Sequence, residues 1–461
     1  MRNSKPTKPK GTRDFGPAQM AKRMYLLDII RQTFRKYGFL PLETPAMENL
    51  SVLTGKYGDE GDQLLFKILN SGNYLSKVEG DPVTYDAQSL LPKIAEKGLR
   101  YDLTVPFARY VVMNRNEITF PFKRFQIQPV WRADRPQKGR YREFLQCDAD
   151  VIGTKSLLCE AEIIMMLNEI FARLGLEGYE IAINNRKFLT GLSAYLGQPN
   201  RENDLCVAID KLDKIGQENV YQELTTKGFS PEALTRLSPV LAVSGTNEEK
   251  LQALTAVFSG TPEALTGLNE VQELLGLVKG MEGNLATVNF DPSLARGLSY
   301  YTGIIFEVRM LDGSIGSICG GGRYDDLTGI FGLPDMPGTG ISLGIDRIYD
   351  VMEARALFPE QVSGSTSAMV VNFGDENLAF ALAAIARLRK AGISSELYPD
   401  KAKMKKQLTY ANRNNIPLVI IAGAEEVGAN KVTIKNMLTG AQTTIAAGNL
   451  IATVNAMLEK N

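Results

Sequence analysis

Residue patterning predicts an α+β protein in three parts: a body of antiparallel strands covered by helices, a mostly helical insert, and a small α/β domain toward the C-terminus. Three observations carry this expectation. Residues 123–153 alternate apolar and polar side chains around an arginine-rich interruption, the pattern of two antiparallel strands joined by a long loop. Residues 186–285 lose that alternation and become rich in Leu, Glu and Lys at helical spacing. From residue 368 onward strand and helix patterns alternate, as an α/β domain requires. The 461 residues suit two to four domains at ~100–200 residues each.

The elements follow in order. Residues 1–10 are basic and proline-bearing without the apolar core of a secretory signal, and read as a flexible leader of a cytoplasmic protein. Pro17 opens a helix with Met20, Met24, Leu27, Ile30 and Phe34 on one stripe, closed by Gly38. Residues 39–45 follow as a strand, and Arg132 to Arg142 form the loop of the 123–153 hairpin. A helix over 156–174 ends at Gly175, and 179–184 is a strand. After the insert, strands are expected at 286–289, 304–310 and 314–319. Glycines 320, 321, 322, 329 and 332 then crowd a loop, before a strand at 341–343 and a helix over 346–356. Residues 358–367 are linker-like, with Pro359, Gly364 and three serines. Beyond them come strand 368–373, helix 377–391, strand 394–398, helix 404–414 and strand 418–422.

Composition excludes several classes of function. Hydrophobic residues make up 44% and charged residues 23%, and no uncharged apolar run approaches the ~18–20 residues of a bilayer-spanning helix. The formal charge is 52 − 52 = 0, so a polyanion would have to be held by a local basic surface. Cys147, Cys159, Cys206 and Cys319 are scattered with no C-x-x-C pair, which favours a reducing compartment and disfavours structural zinc. The chain contains no histidine. That removes Ser-His-Asp and Cys-His triads, His-ligated metals and imidazole acid–base catalysis, and leaves arginine, carboxylates, tyrosine, hydroxyls and backbone amides.

Nucleotide motifs are equally informative. No G-x-x-x-x-G-K-[ST] is present, and Gly338-Thr-Gly340-Ile-Ser-Leu-Gly344 misses the G-x-G-x-x-G spacing by one residue. A polyphosphate would therefore be clamped by arginines, whose planar forks match phosphate oxygens. Arg132, Arg140 and Arg142 flank the hairpin loop, Arg296 sits in Arg296-Gly-Leu-Ser-Tyr-Tyr301, and Arg347 follows Gly340 and Gly344. Taken singly, each is more simply a solvated surface charge. A second polar set comprises Asp102 and Thr104, with Gln146, Asp148 and Asp150 alternating along one strand and so sharing one face. Such a row is either the wet face of a sheet or, beneath covering helices, the floor of a ligand pocket. Tyr300 and Tyr301, read as a pair on a strand, would point to opposite faces, with core packing the simpler role for both.

These segments together resemble the signature motifs of class II aminoacyl-tRNA synthetases. The helix and strand ending in Leu42-Glu-Thr-Pro45 are similar to motif 1, Trp131-Arg132-Ala-Asp134 through Arg142-Glu-Phe-Leu-Gln146 to motif 2, and Gly340-Ile-Ser-Leu-Gly344-Ile-Asp346-Arg347 to motif 3. Ala295-Arg296-Gly-Leu-Ser-Tyr-Tyr301 and Cys319-Gly-Gly-Gly-Arg323-Tyr-Asp325 narrow the likeness to the histidyl-tRNA synthetase family. Pro9-Lys-Gly-Thr-Arg-Asp-Phe15 and residues 99–110 match it too. Ser299 stands where the family often has aspartate and takes no role. Asp134 and Asp346 stand where glutamate is common in the class, shortening reach by one methylene.

The resemblance implies a catalytic domain over 1–185 and 286–357, built on a mainly antiparallel sheet flanked by helices, a helical insertion domain over 186–285, a linker over 358–367 and an α/β anticodon-binding domain over 368–461. It implies ligation of L-histidine to its tRNA through a histidyl-adenylate, with ATP as substrate, Mg²⁺ on its phosphates, no zinc, no membrane association and a cytoplasmic homodimer formed through motif 1. Arg132 and Arg296 would be catalytic at the α-phosphate and the substrate carboxylate. Asp102, Thr104 and Gln146 would take the α-ammonium, Asp150 and Tyr301 the imidazole, and Tyr300 and Tyr324 would shape the pocket. Arg132, Asp134, Arg140 and Arg347 would hold ATP. Lys401, Lys403, Lys405, Lys406 and Arg413 form a basic cluster for tRNA, although a charge run is more often a solvated face. A catalytically silent paralogue regulating histidine biosynthesis is the rival. Such proteins lack the C-terminal domain and the catalytic arginines, both of which this chain retains. An enzyme that charges histidine yet contains none could be made when histidine is scarce, though compositional drift is the simpler account.

Overall fold

The computed structural model describes residues 5–80, 85–137, 139–295, 300–359, 362 and 366–459, without the side chains of 58–60, 213 and 375. Contacts divide the chain into two units, Met1–Asp14 with Asp28–Leu357, and Phe15–Leu27 with Phe358–Asn461.

The first unit is organised by the hairpin of Phe122–Trp131 and Glu143–Ile152, ten residue pairs running from Phe122↔Ile152 to Trp131↔Glu143. Strand alternation sends Cys147, Ala149 and Val151 to one face, where each is at most 1% exposed, and Gln146, Asp148 and Asp150 to the other. Around this hairpin the sheet has eight strands in the order Leu40–Pro41, Phe122–Trp131, Glu143–Ile152, Gly338–Gly344, Cys319–Tyr324, Ile304–Met310, Tyr179–Asn185, Val288–Phe290. Only the two outermost pairings are parallel, so the expected mainly antiparallel sheet is what forms. The helix Leu158–Arg173 supplies a buried stripe of Ile163, Ile164, Met166, Leu167, Ile170 and Phe171. Between Tyr179–Asn185 and Val288–Phe290 lie six helices from Arg186 to Gly280.

Three strand expectations are corrected. Residues 39–45 give only the two-residue strand Leu40–Pro41, because Pro41 and Pro45 have no N–H to extend a ladder. Residues 286–289 begin as a 3-10 turn, Leu285–Thr287, and the strand runs Val288–Phe290. The strand expected at 314–319 starts only at Cys319 and passes through the glycine cluster read as loop, ending at Tyr324. These glycines serve close packing of backbones: a Cβ on Gly321 would lie 2.0 Å from the Gly340 carbonyl oxygen of the adjacent strand. The helix Pro17–Lys36 forms as expected, though Met20 and Met24 are exposed while Leu26, Ile30 and Phe34 are buried.

In the second unit a five-stranded sheet runs Ser395–Leu397, Ala368–Val370, Leu418–Ile421, Lys431–Asn436, Gln442–Ala446, parallel over the first three strands and antiparallel thereafter. Both faces are covered. Val370, Leu418, Ile420 and Ile434 pack with Leu388, Leu450 and Val454, while Met369, Val371 and Val419 pack with Ala411 and Ile416. Of the linker residues 358–367, 360, 361 and 363–365 lie outside the described set.

Candidate active site

The polar row of the hairpin is buried: Gln146 is 9% exposed, and Asp148 and Asp150 are each 2% exposed. Register aligns it with a second polar row on the partner strand, Arg124 opposite Asp150, Gln126 opposite Asp148 and Gln128 opposite Gln146. On its other side stand Gly340, Ser342 and Gly344. Gly340 is a glycine for a reason, since a Cβ there would meet Asp150 Oδ1 at 2.1 Å. The row is therefore a recessed floor and not a wet face.

Asp150 is held from two directions. Tyr324 Oη donates to its Oδ1 at 2.7 Å, and Arg124 Nη2 lies 2.9 Å from Oδ2. Burial pushes the carboxyls of Asp148 and Asp150 up, Asp148 to about 7, while the Arg124 guanidinium pulls both down. Gln146 Nε2 donates to Ser342 Oγ at 2.7 Å. Its Oε1, together with Asp148 Oδ1 and Arg124 Nε and Nη1, is buried with no protein partner among the described residues. Unpaired buried donors and acceptors on one floor mark a place for a polar ligand.

Asp102 sits at the entrance to the helix Thr104–Met113, and its Oδ1 accepts the Val105 N–H at 3.1 Å and the Tyr57 hydroxyl at 3.0 Å. Burial raises its carboxyl, opposed by the Val105 N–H, the Arg132 guanidinium and the Tyr57 hydroxyl. Arg132 lies over the Tyr101 ring at 4.2 Å, and its Nε donates to the Tyr101 carbonyl at 3.0 Å. Its Nη nitrogens have no partner among the described residues. Thr104 occupies the first turn of the helix, two residues from Asp102.

Tyr300 and Tyr301 precede the strand Ile304–Met310 and lie outside the ladder, so the expectation that they face opposite sides is corrected. Their ring centroids are 4.8 Å apart, and Tyr300 reaches Tyr324 at 6.3 Å. Burial first, then neighbouring Tyr301 and Asp102, hold the Tyr300 hydroxyl well above its usual range and so keep it neutral.

Beyond this pocket the hairpin loop meets motif 3. Arg347 Nε donates to the Gly139 carbonyl at 3.1 Å and Nη1 to the Ser317 carbonyl. Asp134 pairs with the half-exposed Arg140 at 3.6 Å. Asp346 is buried, accepts the Leu145 N–H at 3.2 Å and pairs with Arg13, whose guanidinium also lies over Tyr141. Arg296 and Ser299 lie outside the described residues. Patterning alone overlooked Arg124, Tyr57, Arg13 and Ser342. The alternation of Arg124, Gln126 and Gln128 carries the same signal as the row opposite and could have found the first of these. In the second unit Lys403, Lys405, Lys406 and Arg413 line a cavity of about 570 Å³ with Tyr398, Thr409, Tyr410 and Asn414, whereas Lys401 is not among its lining residues. Among the described residues no three His, Cys, Asp or Glu side chains come together as a metal cage, and no helix is long and apolar enough to cross a membrane.

A family model described as histidyl-tRNA synthetase matches residues 95–348, and one described as anticodon binding domain matches residues 367–457. The histidine–tRNA ligase of Cytophaga hutchinsonii is 57% identical over 95% of this chain and 97% of its own length. The chain belongs to the histidyl-tRNA synthetase family. That of Bacteroides fragilis is 53% identical over 97% of this chain and 98% of its own. Among solved structures, the histidyl-tRNA synthetase from Nostoc sp. PCC 7120 superposes with a TM-score of 0.82 at 31% identity, covering 98% of this chain and 99% of that one. Membership gives the eight-stranded sheet its meaning as the class II synthetase fold and makes residues 367–457 an anticodon-binding domain.

Proposed function

We infer that the chain joins L-histidine to its tRNA in two steps, consuming ATP. The histidine carboxylate attacks the α-phosphorus, its P–O bond forms as the bond to the β-phosphate breaks, and pyrophosphate leaves. A hydroxyl of the terminal ribose of tRNA then attacks the histidyl carbonyl and AMP leaves. The observation that carries this reading is the meeting of a partly unclaimed guanidinium, Arg132, with a buried carboxylate, Asp102, above a floor of unpaired polar groups.

The first step brings two anions together, and fixed cations lower its barrier most where water is excluded. Arg132 neutralises the carboxylate and α-phosphate. Arg296, by its place in the family motif, acts on the α-phosphate from the other side. Arg347 and Arg140, with Asp134 ordering the loop, hold the outer phosphates. Asp102 receives the α-ammonium with Thr104 and Gln146, while Asp150, positioned by Arg124 and Tyr324, addresses the imidazole with Tyr301, and Tyr300 closes the pocket. Buried hydrogen-bonding groups reject isosteres lacking the matching donors more strongly than an apolar pocket would. Mg²⁺ accompanies the ATP phosphates as a counter-ion. Among the described residues no three His, Cys, Asp or Glu side chains gather to hold it, and no step above passes through it. Lys403, Lys405, Lys406 and Arg413 contact the tRNA, with Lys401 beside them, and the enzyme works as a cytoplasmic homodimer.

Pyrophosphate exchange measured with each of the twenty amino acids tests this. Exchange with histidine alone is expected, and it should fall by orders of magnitude in Arg296→Ala. Absence of exchange with any amino acid returns the regulatory paralogue.

A further inference from the structure

Tyr57 lies in a segment, residues 50–64, that neither sequence motif nor catalytic role accounts for, yet its side chain ends inside the pocket. It is 7% exposed, packed with Leu53, Leu65, Tyr101, Val105 and Tyr324. Packing alone would be served by phenylalanine. The hydroxyl, however, spends its hydrogen bond on Asp102 Oδ1, at 3.0 Å, the same oxygen that accepts the Val105 N–H. Both bonds end on one oxygen, which fixes the carboxylate plane and leaves Oδ2 to meet a ligand. The Tyr57 ring also lies 4.5 Å from that of Tyr101, and Tyr101 carries the Arg132 guanidinium over its ring and on its carbonyl oxygen. One side chain thus touches the acceptor for the ammonium and the aromatic support of the arginine that grips the carboxylate.

We propose that Tyr57 is a positioning residue for the amino-acid substrate, orienting the Asp102 carboxylate toward the α-ammonium and tying it to the platform under Arg132. The proposal rests on the reading of Asp102 as the ammonium acceptor. A carboxylate that must meet a cation in one direction gains from losing rotational freedom beforehand, because binding then no longer has to order it. The groups facing Asp102 are Arg132, Arg124, Tyr57, Tyr300 and Asp148, together with the Val105 N–H. Of these, Arg132, Arg124, Tyr57 and the Val105 N–H favour the ionised form. Removing the Tyr57 hydroxyl subtracts one of them, so Asp102 should hold its proton to higher pH.

The test is Tyr57→Phe in the full chain, with Asp102→Asn and the double variant beside it. A hydrogen bond to a charged group supports a rise in the KM for histidine of roughly tenfold in Tyr57→Phe. The KM for ATP should change by less than about twofold, since that contact is uniform histidine binding. The acidic limb of kcat/KM for histidine should move to higher pH, and in the double variant Tyr57→Phe should add almost nothing to Asp102→Asn, because the group it orients has lost its charge. An unchanged KM for histidine, an equal rise in both KM values, or additivity in the double variant each overturns the proposal. If Asp102→Asn itself leaves the KM for histidine unaltered, it is the assignment of Asp102 that falls instead.

Discussion

Glu160→Gln should destabilise the catalytic unit more than any surface change of similar size. Glu160 is fully buried and Arg323 4% exposed. Arg323 Nε and Nη2 grip the two carboxylate oxygens at 2.6 and 2.7 Å, while Nη1 and Nη2 also donate to the Thr154 and Ser156 carbonyls at 3.1 and 3.2 Å. Burial pushes the Glu160 carboxyl up, yet the pair holds Arg323 more firmly protonated, and the two-pronged geometry is that of an ion pair. Two charge-assisted bonds at ~1.5–3 kcal/mol each agree with the ~3–5 kcal/mol expected when one partner of a buried pair is removed. With an m-value of about 3–5 kcal/mol/M for a unit this large, the urea midpoint should drop by roughly 1 M. The single tryptophan, Trp131, lies in this unit and reports its unfolding by fluorescence. A midpoint within about 0.2 M of wild type would refute the reasoning. Replacing both partners by methionine should recover much of the loss, because no buried charge is then left alone.

Arg132→Ala should slow adenylate formation by ~100–1000-fold with a smaller effect on histidine binding, as expected of a group acting where charge develops; a loss under fivefold in single-turnover experiments would remove it from the reaction centre. Asp148 keeps in the folded state, up to a pKa of about 7, a proton that its ordinary value of 3.8 would release. Its burial therefore costs stability progressively as pH rises through that window, so Asp148→Asn should gain on wild type by of order 1 kcal/mol per pH unit at most between those values and hold the gain above them; urea titrations showing the gain only below pH 4 would contradict this. Lys405→Glu with Lys406→Glu should raise the KM for tRNA at least ~10-fold at low salt while pyrophosphate exchange continues, and added salt should narrow the gap; a salt-independent defect would place the tRNA elsewhere.

The antiparallel hairpin, the helix over 158–173 and the alternating C-terminal unit were legible because each obeys a local period, two for strands and 3.6 for helices. The row Gln146, Asp148, Asp150 was legible as a shared face for the same reason. Its status as pocket floor could be favoured only through the helices expected to cover the sheet, since a polar row by itself reads identically whether water or a helix lies above it. The glycine strand Cys319–Tyr324 was misplaced because Gly320, Gly321 and Gly322 have poor strand propensity, and their purpose is the carbonyl of a strand that follows about twenty residues later. Tyr300 and Tyr301 were placed on a strand that begins only at Ile304, after both of them.

Residue spacing along this chain was enough to set which chemistry is open to it: with no imidazole, the charge in the reaction falls to arginines and carboxylates, and the ordered motifs named the family before any fold was drawn. What spacing could not convey is contact across long sequence separations. Asp150 meets Tyr324, Asp102 meets Tyr57 and Arg347 meets Gly139 across 174, 45 and 208 residues, because a local period fixes only which face a side chain takes, while the packing of distant strands, helix ends and loops decides which side chain it finds there.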